Sequence, residues 1–159
     1  MADPIKELVH DHRELSGLLL AVHEALSRIE RGQSTLEDEQ HEIRDGIEAF
    51  RESLLEHFAR EQEGLLPFVT THLPASRDRV DQLIVEHDRI AALLGALVKD
   101  VGLVDAGGAL SSFRRSLRSF DELYAAHTKS ELAFLTEVVG SLAHDPAAAA
   151  KLQALLDEE

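Results

Sequence analysis

Residues 43–61 read IRDGIEAFRESLLEHFARE. Apolar side chains recur here in alternating steps of four and three residues, at Ile43, Ile47, Phe50 and Leu54. This spacing predicts an α-helix that buries one face against neighbouring helices. The next two positions of the same series hold His57 and Glu61 instead of apolar residues. The stretch therefore predicts a buried helix face that carries ionisable side chains.

Helix-start signals divide the rest of the chain into similar segments. They are Asp3-Pro4, the capping box Ser34–Glu37 and Asp145-Pro146, and the Asp-Ala-Gly-Gly sequence at residues 105–108 interrupts the helical pattern. The predicted helices span residues 4–31, 35–73, 77–104, 109–143 and 146–157. Pro67 predicts a kink in the second helix because proline has no N–H to donate.

Short connections between long helices favour antiparallel neighbours. We therefore predict an all-α fold: an antiparallel up-down four-helix bundle over residues 4–143, with a short extra C-terminal helix over residues 146–157. The 159 residues correspond to a single domain that is long enough to bury a core.

Composition narrows the classes of function. The net charge of −14 argues against nucleic acid and anionic membrane surfaces as partners. The chain has no cysteine, which excludes disulfides, iron–sulfur clusters and thiol nucleophiles. We find neither a secretory leader pattern nor an apolar stretch of membrane-spanning length, so we expect a cytoplasmic protein.

Ionisable side chains occupy six positions of the apolar series where leucine or isoleucine is expected. They are His12, His57, Glu61, His87, His127 and Glu131. Burying such groups without partners is costly, so something must satisfy them together. A metal-free network is one alternative, but it would need a hydrogen-bond partner for every polar atom. Two divalent cations would satisfy the set directly.

The two halves of the chain repeat this pattern. His12 aligns with His87, and the pair His57 and Glu61 aligns with the pair formed by His127 and the glutamate four residues later. Each half is thus a helical hairpin with a histidine on one helix and His-x-x-x-Glu on the other. Helical geometry places all six side chains at one level of an antiparallel bundle.

This donor set divides between two metal ions, with two imidazoles for each ion and both carboxylates bridging. Mixed imidazole and carboxylate ligands suit iron, and also manganese or zinc. An oxo or hydroxo bridge could supply the remaining negative charge. Open coordination positions would remain, where dioxygen, peroxide or nitric oxide could bind.

The motifs resemble those of the hemerythrin-like (HHE cation-binding) domain. The resemblance spans roughly residues 5–140 and rests on His12-Arg13-Glu14-Leu15, His57-Phe58-Ala59-Arg60-Glu61 followed by Leu65-Leu66-Pro67, Glu86-His87-Asp88 and His127-x-x-x-Glu131. It implies a four-helix bundle with a non-haem diiron centre. By this resemblance His12 and His57 bind one iron, His87 and His127 bind the other, and Glu61 and Glu131 bridge them.

The chain departs from the oxygen-carrying members of that family in two places. Ala91 stands where the carriers have a second histidine one turn after the third-helix histidine. In the last helix the carriers have an aspartate five residues after the histidine, whereas here Glu131 follows His127 by four residues. These departures imply a symmetric centre and argue against an oxygen carrier. We expect a protein that binds or responds to dioxygen, nitric oxide or peroxide. The alternatives are a diiron enzyme with peroxidase, catalase-like or ferroxidase-like activity, and a metal site that only stabilises the bundle.

Other polar side chains are weaker candidates for the site. Tyr124 lies one turn before His127 and could hydrogen-bond near the metals, or it could be an ordinary core residue. Ser16 could approach the site similarly, or its small size could simply make room. We expect His23, His72 and His144 to lie outside the site.

Overall fold

The computed structural model describes residues 4–103 and 109–157, with side chains for residues 12–101 and 110–157. Every regular element in these ranges is helical: α1 (Pro4–Glu30), α2 (Leu36–Arg60), a π-helical segment (Glu61–Leu65), α3 (Leu66–His72), a 3₁₀ turn (Pro74–Ser76), α4 (Arg77–Leu103), α5 (Ala109–Leu142) and α6 (Pro146–Asp157). The all-helical prediction is therefore confirmed. The predicted chain break at residues 105–108 and the capping role of Asp3 lie outside the described residues.

Helix capping follows the sequence signals with one correction. The N-cap of α2 is Thr35, whose hydroxyl accepts a hydrogen bond from the Asp38 N–H at 3.2 Å. The predicted box, which began at Ser34, was therefore placed one residue too early. At the start of α6, the Asp145 carboxylate accepts a hydrogen bond from the Ala148 N–H at 3.1 Å, as predicted.

The predicted kink near Pro67 takes the form of the π-helical segment between α2 and α3. The proline ring would crowd the carbonyl four residues earlier in a regular α-helix, and proline cannot donate to it. The backbone widens instead, so that the Leu66 N–H bonds to the Glu61 carbonyl five residues back. The single helix predicted over residues 35–73 is thus divided, and the wide turn begins at one of the predicted metal ligands.

The long helices pack as a helical bundle. Helix α1 packs against α2 and α5, and α4 packs against α2 and α5. Arg28 on α1 holds Glu39 on α2 through two bonds, with Nε to Oε1 at 2.7 Å and Nη2 to Oε2 at 2.8 Å. Gly46 allows these two helices to approach closely, because a Cβ atom there would lie 2.6 Å from Val22 Cγ2.

Two apolar clusters flank the layer of ionisable residues. One contains the aromatic rings of Phe50, Phe113 and Phe120, and the other contains Leu65 and Phe134 together with residues of α6. Because apolar packing surrounds the layer on both sides, any charge within it is removed from bulk water. No helix among the described residues has the length and apolar character needed to cross a membrane.

Candidate metal centre

All six predicted side chains converge in the interior of the bundle. They are between 1% and 7% exposed. Two groups of potential ligand atoms form, each with its atoms within 4.8 Å of one another: His12, His57, Glu61 and Glu131 in one group, and His87, His127 and Glu131 in the other. The positions that the apolar series singled out are therefore neighbours in space.

Glu61 stands between the two groups. Its Oε1 lies 2.9 Å from His57 Nε2, and its Oε2 lies 3.1 Å from His87 Nε2. The carboxylate thus presents one oxygen to a histidine of each group.

Glu131 has the corresponding arrangement on the opposite helix. Its Oε1 lies 3.3 Å from His12 Nε2, and its Oε2 lies 3.0 Å from His127 Nε2 and 3.7 Å from His87 Nε2. Each glutamate therefore reaches both histidine pairs, as a carboxylate that bridges two ions would.

Several of these atoms are buried without a hydrogen bond to any described residue. They are both carboxylate oxygens of Glu61, Oε1 of Glu131, and Nε2 of His87 and of His127. Native proteins pair nearly all buried polar groups, and each unpaired group costs about 1–3 kcal/mol. The lone pairs share one small region, so cations placed there would satisfy them together. The donor set therefore fits a metal site.

The outer nitrogens of two histidines are held by side chains that the sequence reasoning did not assign. Glu86 Oε2 accepts a hydrogen bond from His127 Nδ1 at 2.7 Å, and the Gln62 amide lies 3.0 Å from His87 Nδ1. A proton on Nδ1 leaves the Nε2 lone pair facing the centre, which is the usual arrangement of metal-bound histidines. At His87 the atom that faces Nδ1 is the Gln62 amide nitrogen, Nε2. The same tautomer at His87 requires the Gln62 amide to be turned so that its carbonyl oxygen accepts from Nδ1.

A comparison with models of protein families also indicates a cation-binding domain. The model of the hemerythrin HHE cation-binding domain matches residues 3–133. The chain belongs to this family. No curated protein and no solved structure matches it significantly. Family membership and the buried cluster together identify a cation-binding helical protein, as the resemblance of the motifs implied.

In this HHE domain the charges of the cluster depend on one another. Burial lowers the pKa of His87, but the carboxylates of Glu131 and Glu61 outweigh burial and raise it to about 9. Burial is likewise outweighed at His57, whose pKa is raised by Glu61 and Glu131, and at His127, whose pKa is raised by Glu131 and Glu86. Burial acts on Glu131 in the opposite direction, yet the surrounding histidines hold its pKa well below the usual range. Metal ions entering the cluster must therefore displace protons from imidazoles.

Aromatic packing around the HHE centre is uneven. The ring of Phe58 stacks on the His87 imidazole, with 3.9 Å between centroids and 11° between planes. Tyr124 lies farther into the apolar cluster, stacked on Phe120 at 5.8 Å and edge-on to Phe50 at 5.7 Å. Tyr124 is therefore a core residue in its packing, whatever its hydroxyl contributes.

His23, His72 and His144 lie outside the site, as predicted. His23 Nε2 lies 3.1 Å from Asp121 Oδ2 on a partly exposed surface, and His72 Nδ1 lies 3.0 Å from the Phe68 carbonyl. His144 is exposed in the turn before α6. Helix α6 lies beyond residues 3–133, which the family model matches. Its Leu155 packs close to Gly64 of the π-helical segment, because a Cβ atom added at Gly64 would lie 3.4 Å from Leu155 Cδ2.

Proposed function

We propose that the chain is a non-haem diiron protein of the hemerythrin-like class that binds or responds to dioxygen, nitric oxide or peroxide. In this proposal His12 and His57 hold one iron, His87 and His127 hold the other, and Glu61 and Glu131 bridge them. The observation that carries the proposal is the position of the two glutamates, each with one oxygen toward each histidine pair. A site for a single ion would not require two carboxylates in this arrangement.

We also infer that residues 4–157 form one domain in which the four long helices alternate in direction. Arg28 near the end of α1 pairs with Glu39 near the start of α2, which supports opposite directions for these helices. Glu86 in the first half of α4 pairs with His127 in the second half of α5, with the same implication. In such an antiparallel bundle the candidate ligands of all four long helices lie at the same height along the bundle axis.

The protein side chains would hold and orient the pair of ions. Four neutral imidazoles and two carboxylates contribute a charge of −2, and the burial of the cluster limits the access of water. Iron held by histidine and carboxylate ligands keeps open positions at which dioxygen and related ligands can bind. Glu86 would keep Nδ1 of His127 protonated, and Gln62 would hold the His87 ring in place.

A diiron enzyme acting on peroxide, or one with ferroxidase-like activity, is the second candidate. The observation that favours it is the equal number of histidines in the two halves of the cluster, because Ala91 supplies no fifth imidazole. Neither ion would then be saturated by protein ligands. This candidate uses the same six residues and differs only in turnover.

The decisive experiment compares the iron-loaded protein with two histidine variants. Ferrous protein is exposed anaerobically to nitric oxide and, separately, to dioxygen, and the optical spectrum is recorded. We expect spectral changes in the wild type and in His144→Ala, whose histidine is exposed, and their loss in His127→Ala. Hydrogen peroxide decomposition faster than that of free iron would favour the enzyme. An iron-loaded wild type that responds to none of these ligands would exclude both candidates and leave a structural metal site.

A further inference from the structure

The two sides of the centre differ in how they are covered. Phe58, the residue after His57, covers His87 with a stacked ring. In the internal repeat His57 aligns with His127, so the position equivalent to Phe58 is Thr128. A threonine is too small to cover an imidazole as a phenyl ring does. The position on α5 that corresponds to Phe58 therefore lacks an aromatic cover.

An open cavity of about 530 Å³ lies between α1 and α5. Its lining includes Ser16, Tyr124 and Thr128. Ser16 is one turn after His12, and the other two residues flank His127 on α5. These three residues are therefore neighbours of the candidate ligands His12 and His127 along their helices.

Two hydroxyl groups of this lining are buried and have no hydrogen-bond partner among the described residues other than each other. They are the phenol of Tyr124, a residue that is only 7% exposed, and Oγ1 of Thr128. Burial raises the pKa of the phenol, and the carboxylates of Glu131 and Glu61 raise it further, while Thr128 offsets part of the rise. Tyr124 thus remains a neutral hydrogen-bond donor at all ordinary pH values.

We propose that Tyr124 is a specificity-determining residue, whose hydroxyl donates a hydrogen bond to a small anion that reaches the centre through the cavity between α1 and α5. Thr128 supplies a second, weaker donor beside it. Anions such as azide accept such a bond, whereas nitric oxide is a poor acceptor, so the two ligands should depend differently on the hydroxyl. The inference rests on the proposed diiron function.

The test is an optical titration of the iron-loaded, oxidised protein with azide, after its iron content has been measured. A hydrogen bond to a charged acceptor is large enough that Tyr124→Phe should bind azide roughly ten- to a hundredfold more weakly. Thr128→Val should weaken azide binding by a smaller factor. Nitric oxide binding to the ferrous form should be the same in the wild type and in Tyr124→Phe.

Thr136→Val is the matched control, because the Thr136 hydroxyl already donates to the Leu132 carbonyl at 2.7 Å on an exposed face of the same helix. Its azide affinity should equal that of the wild type.

Equal azide affinity in Tyr124→Phe and the wild type, at equal iron content, would overturn this inference alone. A phenolate-to-iron absorption band that disappears in Tyr124→Phe would overturn it too, since the residue would then be a ligand. If Tyr124→Phe loads no iron, Thr128→Val decides: unchanged azide affinity overturns the inference. A wild type that loads no iron overturns the diiron proposal and this inference with it.

Discussion

Replacing Glu86 with glutamine should weaken metal binding without unfolding the bundle. The Glu86 carboxylate accepts a hydrogen bond from His127 Nδ1 at 2.7 Å, and only 19% of its side chain is exposed. A short bond of this kind to a carboxylate holds the ring in the tautomer that presents Nε2 to the metal. Loss of such a partner weakens metal affinity about 10- to 100-fold, which corresponds to roughly 1.4–2.8 kcal/mol. We expect about tenfold for Glu86→Gln, whose amide can still accept, and closer to a hundredfold for Glu86→Ala.

The matched control is Asp88→Asn, which removes the same charge from an exposed position two residues later on α4. Affinities for ferrous iron and zinc would be measured by competition with a chromogenic chelator under anaerobic conditions. Thermal unfolding of the metal-free variants would verify that each one folds. Equal losses in Glu86→Gln and Asp88→Asn would contradict this prediction, because the effect would then come from net charge and not from the orientation of His127.

Two further predictions concern stability, measured on the metal-free protein. Gly46→Ala places a Cβ atom 2.6 Å from Val22 Cγ2, and Val22 is fully buried. Overpacking costs about 1–3 kcal/mol and alanine's helix propensity returns about 1 kcal/mol, so a net loss of roughly 1 kcal/mol is expected in urea unfolding. Gly95→Ala meets no atom within 4 Å and should stabilise the protein, so similar effects of the two substitutions would contradict the close approach of the helices. The pKa of His87 is raised from 6.5 to about 9, so its contribution to stability is complete below pH 6.5 and is lost as the pH rises through about 9. The depressed pKa of Glu131 adds stability above pH 4.5 that is lost as the pH falls. The melting temperature should therefore decline on both sides of this range, and a melting temperature that rises toward pH 9 would contradict the ion pairs.

The positions of the candidate ligands could be predicted because five of them lie on α-helices and Glu61 directly follows α2. Glu61 lies four positions after His57, and Glu131 lies four positions after His127, so helical geometry alone places each pair on one face. The apolar series identified those faces as buried, and the structure confirms the burial of all six side chains. The prediction required only local spacing and the rule that the buried face of a helix is apolar.

The partners of the outer histidine nitrogens could not be predicted in this way. Glu86 is adjacent to His87 in sequence but bonds to His127 on another helix, so its role depends on how α4 and α5 are rotated against each other. Gln62 reaches His87 from the π-helical segment, whose widened turn departs from the regular period used to read the sequence. Pro67 predicted a disturbance there, but only the packed structure shows its form.

The most direct test of the central claim is the number of iron ions bound per chain, measured by anaerobic titration of the wild type and of Glu131→Ala. Glu131 belongs to both groups of potential ligands, so its loss should affect both ions. We expect two irons per chain in the wild type and the loss of both high-affinity sites in the variant. A wild type that binds a single iron, or a variant that loses only one of two, would contradict a centre bridged by both glutamates.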